Sequence, residues 1–236
     1  MKIADPVAEP RPAPDTPLGA GTKSSRAYAQ IRADILSCRL LPGTKLNIAG
    51  LAADLDVSLG AVREALSMLQ SEALVVSEPQ RGYTVSPVSL KELDDITEAR
   101  IAIETMCLRA SMDRGDLSWE TRVVASWHRL SRLSETEEGQ AEHLSENWAR
   151  AHADYHASLV AACGNDWLLR MRAMLYEQSE RYRRMSVPLA TEPRDVPAEH
   201  RAIFDAVMRR DAPAASDALE QHLRRTAAII RSSVSL

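Results

Sequence analysis

Aromatic side chains are scarce in this chain, 4% of its residues with a single Phe, at position 204. Glycine is also sparse, 9 in 236 residues, while Ala, Leu and Arg recur at helical spacing along most of the length. Both shortages disfavour a strand-rich architecture and point to a mostly α protein. The three cysteines, Cys38, Cys107 and Cys163, stand far apart, neither at metal-binding spacing nor as an even framework. They are expected to be reduced thiols of a cytoplasmic protein. There is no apolar run of membrane-spanning length and no apolar signal core near the N-terminus, so a soluble protein with no membrane partner is expected. Strong positive charge is missing too: the net charge is −4. What remains, 45% hydrophobic residues in 236, is enough for one large core or two smaller ones.

Composition divides the chain. Residues 1 to 22, "MKIADPVAEPRPAPDTPLGAGT", are rich in Pro and Ala without apolar periodicity and are expected to form a disordered arm. From Ser24, "SSRAYAQIRADILSCRL" sets Tyr28, Ile31, Ile35 and Leu36 on one helical face before "LPG" stops it. A short helix "IAGLAADL" and a longer one from Leu59 follow, and "ALVVSEPQRGYTVSPVS" reads as two strands around a turn. Helix, helix, helix, hairpin is the order of a winged helix-turn-helix, placed at 23–88. Beyond Ser89 no strand is expected. Helical patterns cover roughly 90–113, 118–136, 140–163, 166–186, 197–210 and 212–232, an all-α bundle of six or seven helices over 89–236.

Within "DVSLGAVREALSMLQ", Asp56 stands where a tight turn requires a left-handed residue, and Ser58 is placed to cap the next helix. Val62, Ala65, Leu66 and Leu69 point to the core, whereas Gly60, Arg63, Ser67 and Gln70 point away. An outward face that is small at its start and carries one Arg suits a major groove. Arg81, at the hairpin turn, suits the minor groove or the backbone. The candidate DNA-contacting set is Lys45, Ser58, Gly60, Arg63, Ser67, Arg81 and Gly82. Residues 23–88 hold seven basic against six acidic side chains, so nonspecific attraction to DNA is weak and specific contacts doubled by dimerisation matter more.

These motifs resemble a known family. "LPGTKL", "LAADLDVS", "VREAL", "SEALV" and "RGYTV" follow in order the DNA-binding domain of GntR-type bacterial regulators. "ARIAIE", "DYHASLVAACGNDWLL", "EHRAIFDAV" and "QHL" resemble the helical FCD effector domain of its FadR subfamily, and "VSLGAVREAL" with "RYR" resembles the carbon-starvation regulators in it, which answer to a short dicarboxylate. The resemblance implies a dimeric regulator, a repressor, acting on a palindromic operator in double-stranded DNA. Two departures matter: Leu59-Gly60-Ala61 replaces the family's Arg-Thr-Pro, and Ala49 stands where a second Arg is common. Arg63 therefore carries more of the readout.

Four of the six histidines stand on apolar helix faces. His152 and His156 are one turn apart, His200 shares a face with Phe204 and Val207, and His222 lies beside Leu219 and Leu223. Either they are hydrogen-bonded core residues or they hold a divalent cation, whose presence would use lone pairs that are costly to bury unpaired. In the FCD family the matching positions are Asp, His, His and His and bind a metal, with His152 here in the Asp position. A fourth neutral ligand favours a borderline ion such as Zn²⁺ or Ni²⁺; alternatively His152 turns away and leaves room for an effector carboxylate. His128 and His143 are expected on exposed helix faces. Arg100 either neutralises a small carboxylate effector or pairs with Glu104 one turn on. Arg181, Tyr182, Arg183 and Arg184 read as a solvated helix end or, alternatively, as effector contacts. A metal-dependent hydrolase is the competing function, but no acidic residue is embedded as general base in the His-x-x-x-His turn, and Asp154 points to another face.

Overall fold

The computed structural model describes residues 22–78, 82–137, 140–186 and 194–233. The expected disordered arm up to residue 21, the hairpin turn with Arg81, and the breaks around Gly139 and at 187–193 lie outside the described residues, whereas Thr22, placed in that arm, is ordered as a helix cap.

Three helices open the chain: α1 (Lys23–Leu36), α2 (Ile48–Asp54) and α3 (Leu59–Ser71). Each begins at a polar cap. Thr22, Asn47 and Ser58 accept from backbone N–H groups of the first turn, and Ser58 does so from Ala61 at 3.2 Å. Between α2 and α3 the chain turns through Asp56, whose φ of +51° is the left-handed conformation that the spacing demanded. The two expected strands are β2 (Val75–Glu78) and β3 (Gly82–Val85), paired antiparallel with Val75 opposite Val85. A third strand, β1 (Lys45–Leu46), pairs with β3 on its other side and gives the order β1-β3-β2. Ile31, Ile35, Val62, Leu66, Leu69 and Val85 close this first core.

The second core is built from α4 (Leu90–Arg114), α5 (Leu117–Leu130), α6 (Glu146–Val160), α7 (Asp166–Ser186), α8 (Val196–Met208) and α9 (Ala212–Ser233). These are six helices among the described residues, as the periodicity indicates. Trp119 is fully buried and donates from Nε1 to the Ser158 carbonyl, tying α5 to α6. A hairpin interrupts the expected helices. β4 (Thr136–Glu137) pairs with β5 (Gln140–Leu144) where helix was expected on both sides of Gly139, and His143 lies on that strand. The physical reason is capping: Ser145 accepts from Trp148 N and starts α6 at Glu146, while Ser131 ends α5.

The two cores meet along α1 and α7. Arg32 bridges Glu72 (2.8 Å) and Glu177, Gln178 Nε2 donates to the Glu72 carbonyl at 2.9 Å, and Arg181 donates to the Ser86 carbonyl. Cys38 Sγ donates to the Arg181 carbonyl at 3.5 Å.

Candidate DNA-binding surface and metal centre

On α3, Val62, Ala65, Leu66 and Leu69 are fully buried, while Gly60, Arg63, Ser67 and Gln70 are exposed. The outward face is therefore continuous and carries the Arg63 guanidinium. Ser58, also exposed, already spends its Oγ on the helix cap. Lys45 lies on β1 opposite Thr84, and Gly82, at a φ of +84°, opens β3 next to the hairpin turn. That φ strongly favours Gly, so Gly82 shapes the start of β3.

The four apolar-face histidines converge. One ring nitrogen from each of His152, His156, His200 and His222 falls within a group whose members lie within 4.8 Å of one another, and all four side chains are buried. The Nε2 atoms of His156 and His200 are 3.2 Å apart. Donors about 2.0–2.1 Å from a tetrahedral cation lie roughly 3.3 Å from each other, so this spacing suits two ligands of one ion. Burial depresses every imidazole below the ordinary histidine value, and repulsion from neighbouring histidines lowers His152, His156 and His200 further. The rings are thus neutral and keep lone pairs to donate. Nδ1 of His156 is buried without a hydrogen-bond partner among the described residues, so their hydrogen bonds do not account for all of the cluster's ring nitrogens.

Outer partners orient the rings. Glu199 Oε2 lies 2.9 Å from His222 Nδ1 and accepts from Arg194 at 2.5 Å. Burial pushes this carboxyl up, but the Arg194 and His222 contacts outweigh it and hold the group well below the usual carboxylate range. Tyr176 Oη lies 3.0 Å from His152 Nδ1. A carboxylate on the far nitrogen is what metal-binding histidines ordinarily have, and the Tyr176 hydroxyl offers His152 an oxygen in the same place. Sequence reasoning missed both residues. Glu199 had a weak signal in standing beside His200; Tyr176 had none.

A cavity of about 40 Å³ adjoins the cluster, with His152, His222, Arg100, Arg183 and Arg194 among its lining. By that measure it holds roughly three waters. Of the two sequence expectations for Arg100, the pairing with Glu104 is present, Nε to Oε1 at 2.8 Å, and the same side chain also lines the cavity. The 181–184 segment is a correction. Far from being a solvated end, Arg181 and Tyr182 are 1% exposed. Tyr182 donates to Glu92 at 2.5 Å, Arg183 lies 5.0 Å over the Trp148 ring, and Arg184 makes a bidentate pair with Glu146. Charge made this segment look exposed; the partners that bury it come from α4, α6 and the α4 approach, distant in sequence. His128 is exposed as expected, and Asp154 is an exposed partner of Arg129 at 3.6 Å.

Comparison with known proteins decides the family. Residues 23–85 match "Bacterial regulatory proteins, gntR family" and residues 95–225 match the FCD domain. The chain belongs to the GntR family. It is a transcriptional regulator of the FadR-like GntR/FCD architecture. A regulator from Paraburkholderia xenovorans, BphR, is 40% identical over 86% of this chain and 83% of its own length. The transcriptional repressor GlaR of Escherichia coli is 34% identical over 88% of this chain and 96% of its own length. Among solved structures, a GntR regulator from Rhodococcus superposes with a TM-score of 0.73 at 20% identity, covering 91% of this chain and all of that one, and so shows the same fold. No helix among the described residues is long and apolar enough to cross a membrane.

Proposed function

We propose that this GntR regulator is a cytoplasmic, dimeric repressor whose helical domain, 89–236, holds a divalent metal, Zn²⁺ or Ni²⁺, and a small carboxylate effector that alters operator binding by the winged helix at 23–88. The observation that carries the reading is the convergence of four buried histidines beside a cavity whose lining includes Arg100, Arg183 and Arg194. Borderline cations prefer such imidazole donors. His152, His156, His200 and His222 would hold the ion, which would supply a positive centre for a carboxylate. Arg100, Arg183 and Arg194 line the cavity together with Glu135 and Glu180 and would offer guanidinium donors to a carboxylate, though each is already paired, with Glu104, Glu180 and Glu199 in turn. An acid bound there can shift DNA affinity only through different affinity for two arrangements of the helices.

On DNA, Arg63 reads the major groove from α3, with Gly60, Ser67 and Ser58 allowing close approach, while Lys45, Arg81 and Gly82 serve the backbone and the adjoining groove. One such helix offers few base contacts, so two half-sites in an imperfect palindrome supply the affinity. Two Escherichia coli relatives, GlaR and RspR, carry the description of repressor, which supports that sign of regulation.

A hydrolytic use of the cluster is disfavoured. Of the acids near the cluster, Glu199 is committed to Arg194 and to Nδ1 of His222, and Glu180 to Arg183, so neither is free to serve as a general base. The test is metal analysis of the purified protein, followed by thermal-shift screening of the metal-loaded form against short mono- and dicarboxylates. Stoichiometric metal and a stabilising acid are expected. Absence of both, with no change of DNA affinity by any acid, would reduce the helical domain to a purely structural part.

A further inference from the structure

We propose that Tyr176 is the positioning residue that makes His152 a metal ligand and that joins the metal centre to α7, the helix on which the DNA-binding unit sits; this rests on the metal reading above. His152 is the residue whose participation the sequence left open. Its Nδ1 lies 3.0 Å from the Tyr176 hydroxyl. A hydroxyl can donate or accept, and the choice fixes the imidazole tautomer. When the phenol oxygen accepts from Nδ1–H, the lone pair falls on Nε2 and is available to a cation, whereas a donating hydroxyl would put the proton on Nε2 and close it.

The tyrosine ring has two guanidiniums against it, Arg172 at 4.8 Å and Arg100 at 5.2 Å from its centroid, both drawn to the buried Glu104 carboxylate. The next turns of the same helix carry the contacts to the other core: Glu177 to Arg32, Gln178 to the Glu72 carbonyl, and Arg181 to the Ser86 carbonyl. One helix thus bears a residue that touches a candidate ligand and, one, two and five positions later, residues that touch the DNA-binding unit. A cation that draws His152 acts on α7 through the hydroxyl.

Tyr176→Phe removes that hydroxyl and keeps the ring against its two guanidiniums. Wild type and variant are stripped with a chelator, titrated with Zn²⁺ and with Ni²⁺, loaded with Co²⁺ for visible spectroscopy, and assayed on operator DNA selected from a random pool. Metal affinity is expected to fall roughly 10- to 100-fold, as it does when an outer-shell partner is lost. The Co²⁺ bands should shift, and the metal-dependent change in DNA affinity should shrink, while the melting temperature and DNA affinity of the stripped proteins stay matched. Equal metal affinity and identical Co²⁺ spectra in the two proteins would overturn the positioning role alone. Weaker metal binding with an undiminished DNA response at saturation would overturn the link through α7. A wild type that binds none of the three ions would instead remove the metal reading on which the inference stands.

Discussion

Replacing Glu104 by Gln should destabilise the helical domain more than any surface change. The carboxylate is 1% exposed and bridges α4 to α7, with Arg100 Nη2 at 2.6 Å and Arg172 Nε at 3.5 Å. Burial pushes its pKa up, yet the two guanidiniums prevail and the net shift is downward. Gln keeps the shape and one acceptor but leaves two buried cations without a counter-charge. Removing one partner of a buried ion pair costs about 3–5 kcal/mol, and the Gln oxygen holds the loss toward the lower figure. For a domain of this size each kcal/mol moves the melting temperature by roughly 2–4 °C, so a fall of at least about 6 °C is expected. Urea unfolding followed by circular dichroism at neutral pH measures the free energy directly. The sign with pH is also fixed: a depressed folded pKa means stability present above the unfolded value and lost as pH falls through the folded one. The gap between wild type and variant should therefore narrow in acid. A difference under about 1 kcal/mol at neutral pH, where breaking a buried pair calls for about 3, would refute the view of Glu104 as the electrostatic centre of α4 and α7.

Arg63→Ala should weaken binding to a selected operator by about 1–3 kcal/mol, the worth of a good base contact, with little change on random DNA; fluorescence anisotropy on both duplexes checks it. Arg81→Ala should lower affinity for specific and random DNA alike, as a phosphate or groove-width contact does. Leu66→Ala, at a fully buried position of the first core, should cost about 2–5 kcal/mol in chemical denaturation. Arg181→Met should loosen the joint at Ser86, so calorimetry is expected to resolve two unfolding transitions where wild type shows more concerted melting.

The winged helix was legible because its signals are local. A left-handed Asp56, a capping Ser58 and four inward apolar residues at helical spacing dictate α2, the turn and α3 with no help from distant contacts. β1 escaped notice because two residues carry no alternation, and its existence depends on pairing with β3, nearly forty positions on. The hairpin at 136–144 escaped for a related reason: its residues are polar and helix-tolerant, and a cap at Ser145 rather than periodicity sets the boundary. The histidines could be read as a set since each sits on an apolar face, where an imidazole is conspicuous. Glu199 and Tyr176 could not, because a Glu beside a His and a Tyr on an amphipathic helix are ordinary until the fold brings them to ring nitrogens. The same holds for Arg181 to Arg184, whose charge suggested solvent until partners from three other parts of the chain enclosed them.

If metal bound by the histidine cluster connects effector to operator, one titration reveals it. Operator affinity is measured with and without the acid that gives the largest thermal shift, on metal-loaded wild type, metal-stripped wild type and His222→Ala protein. Because the winged helix folds around its own core, all three should bind DNA, while only the metal-loaded wild type should change affinity when the acid is added. An identical response to the acid in all three would contradict the account and leave the four histidines as hydrogen-bonded residues of an ordinary core.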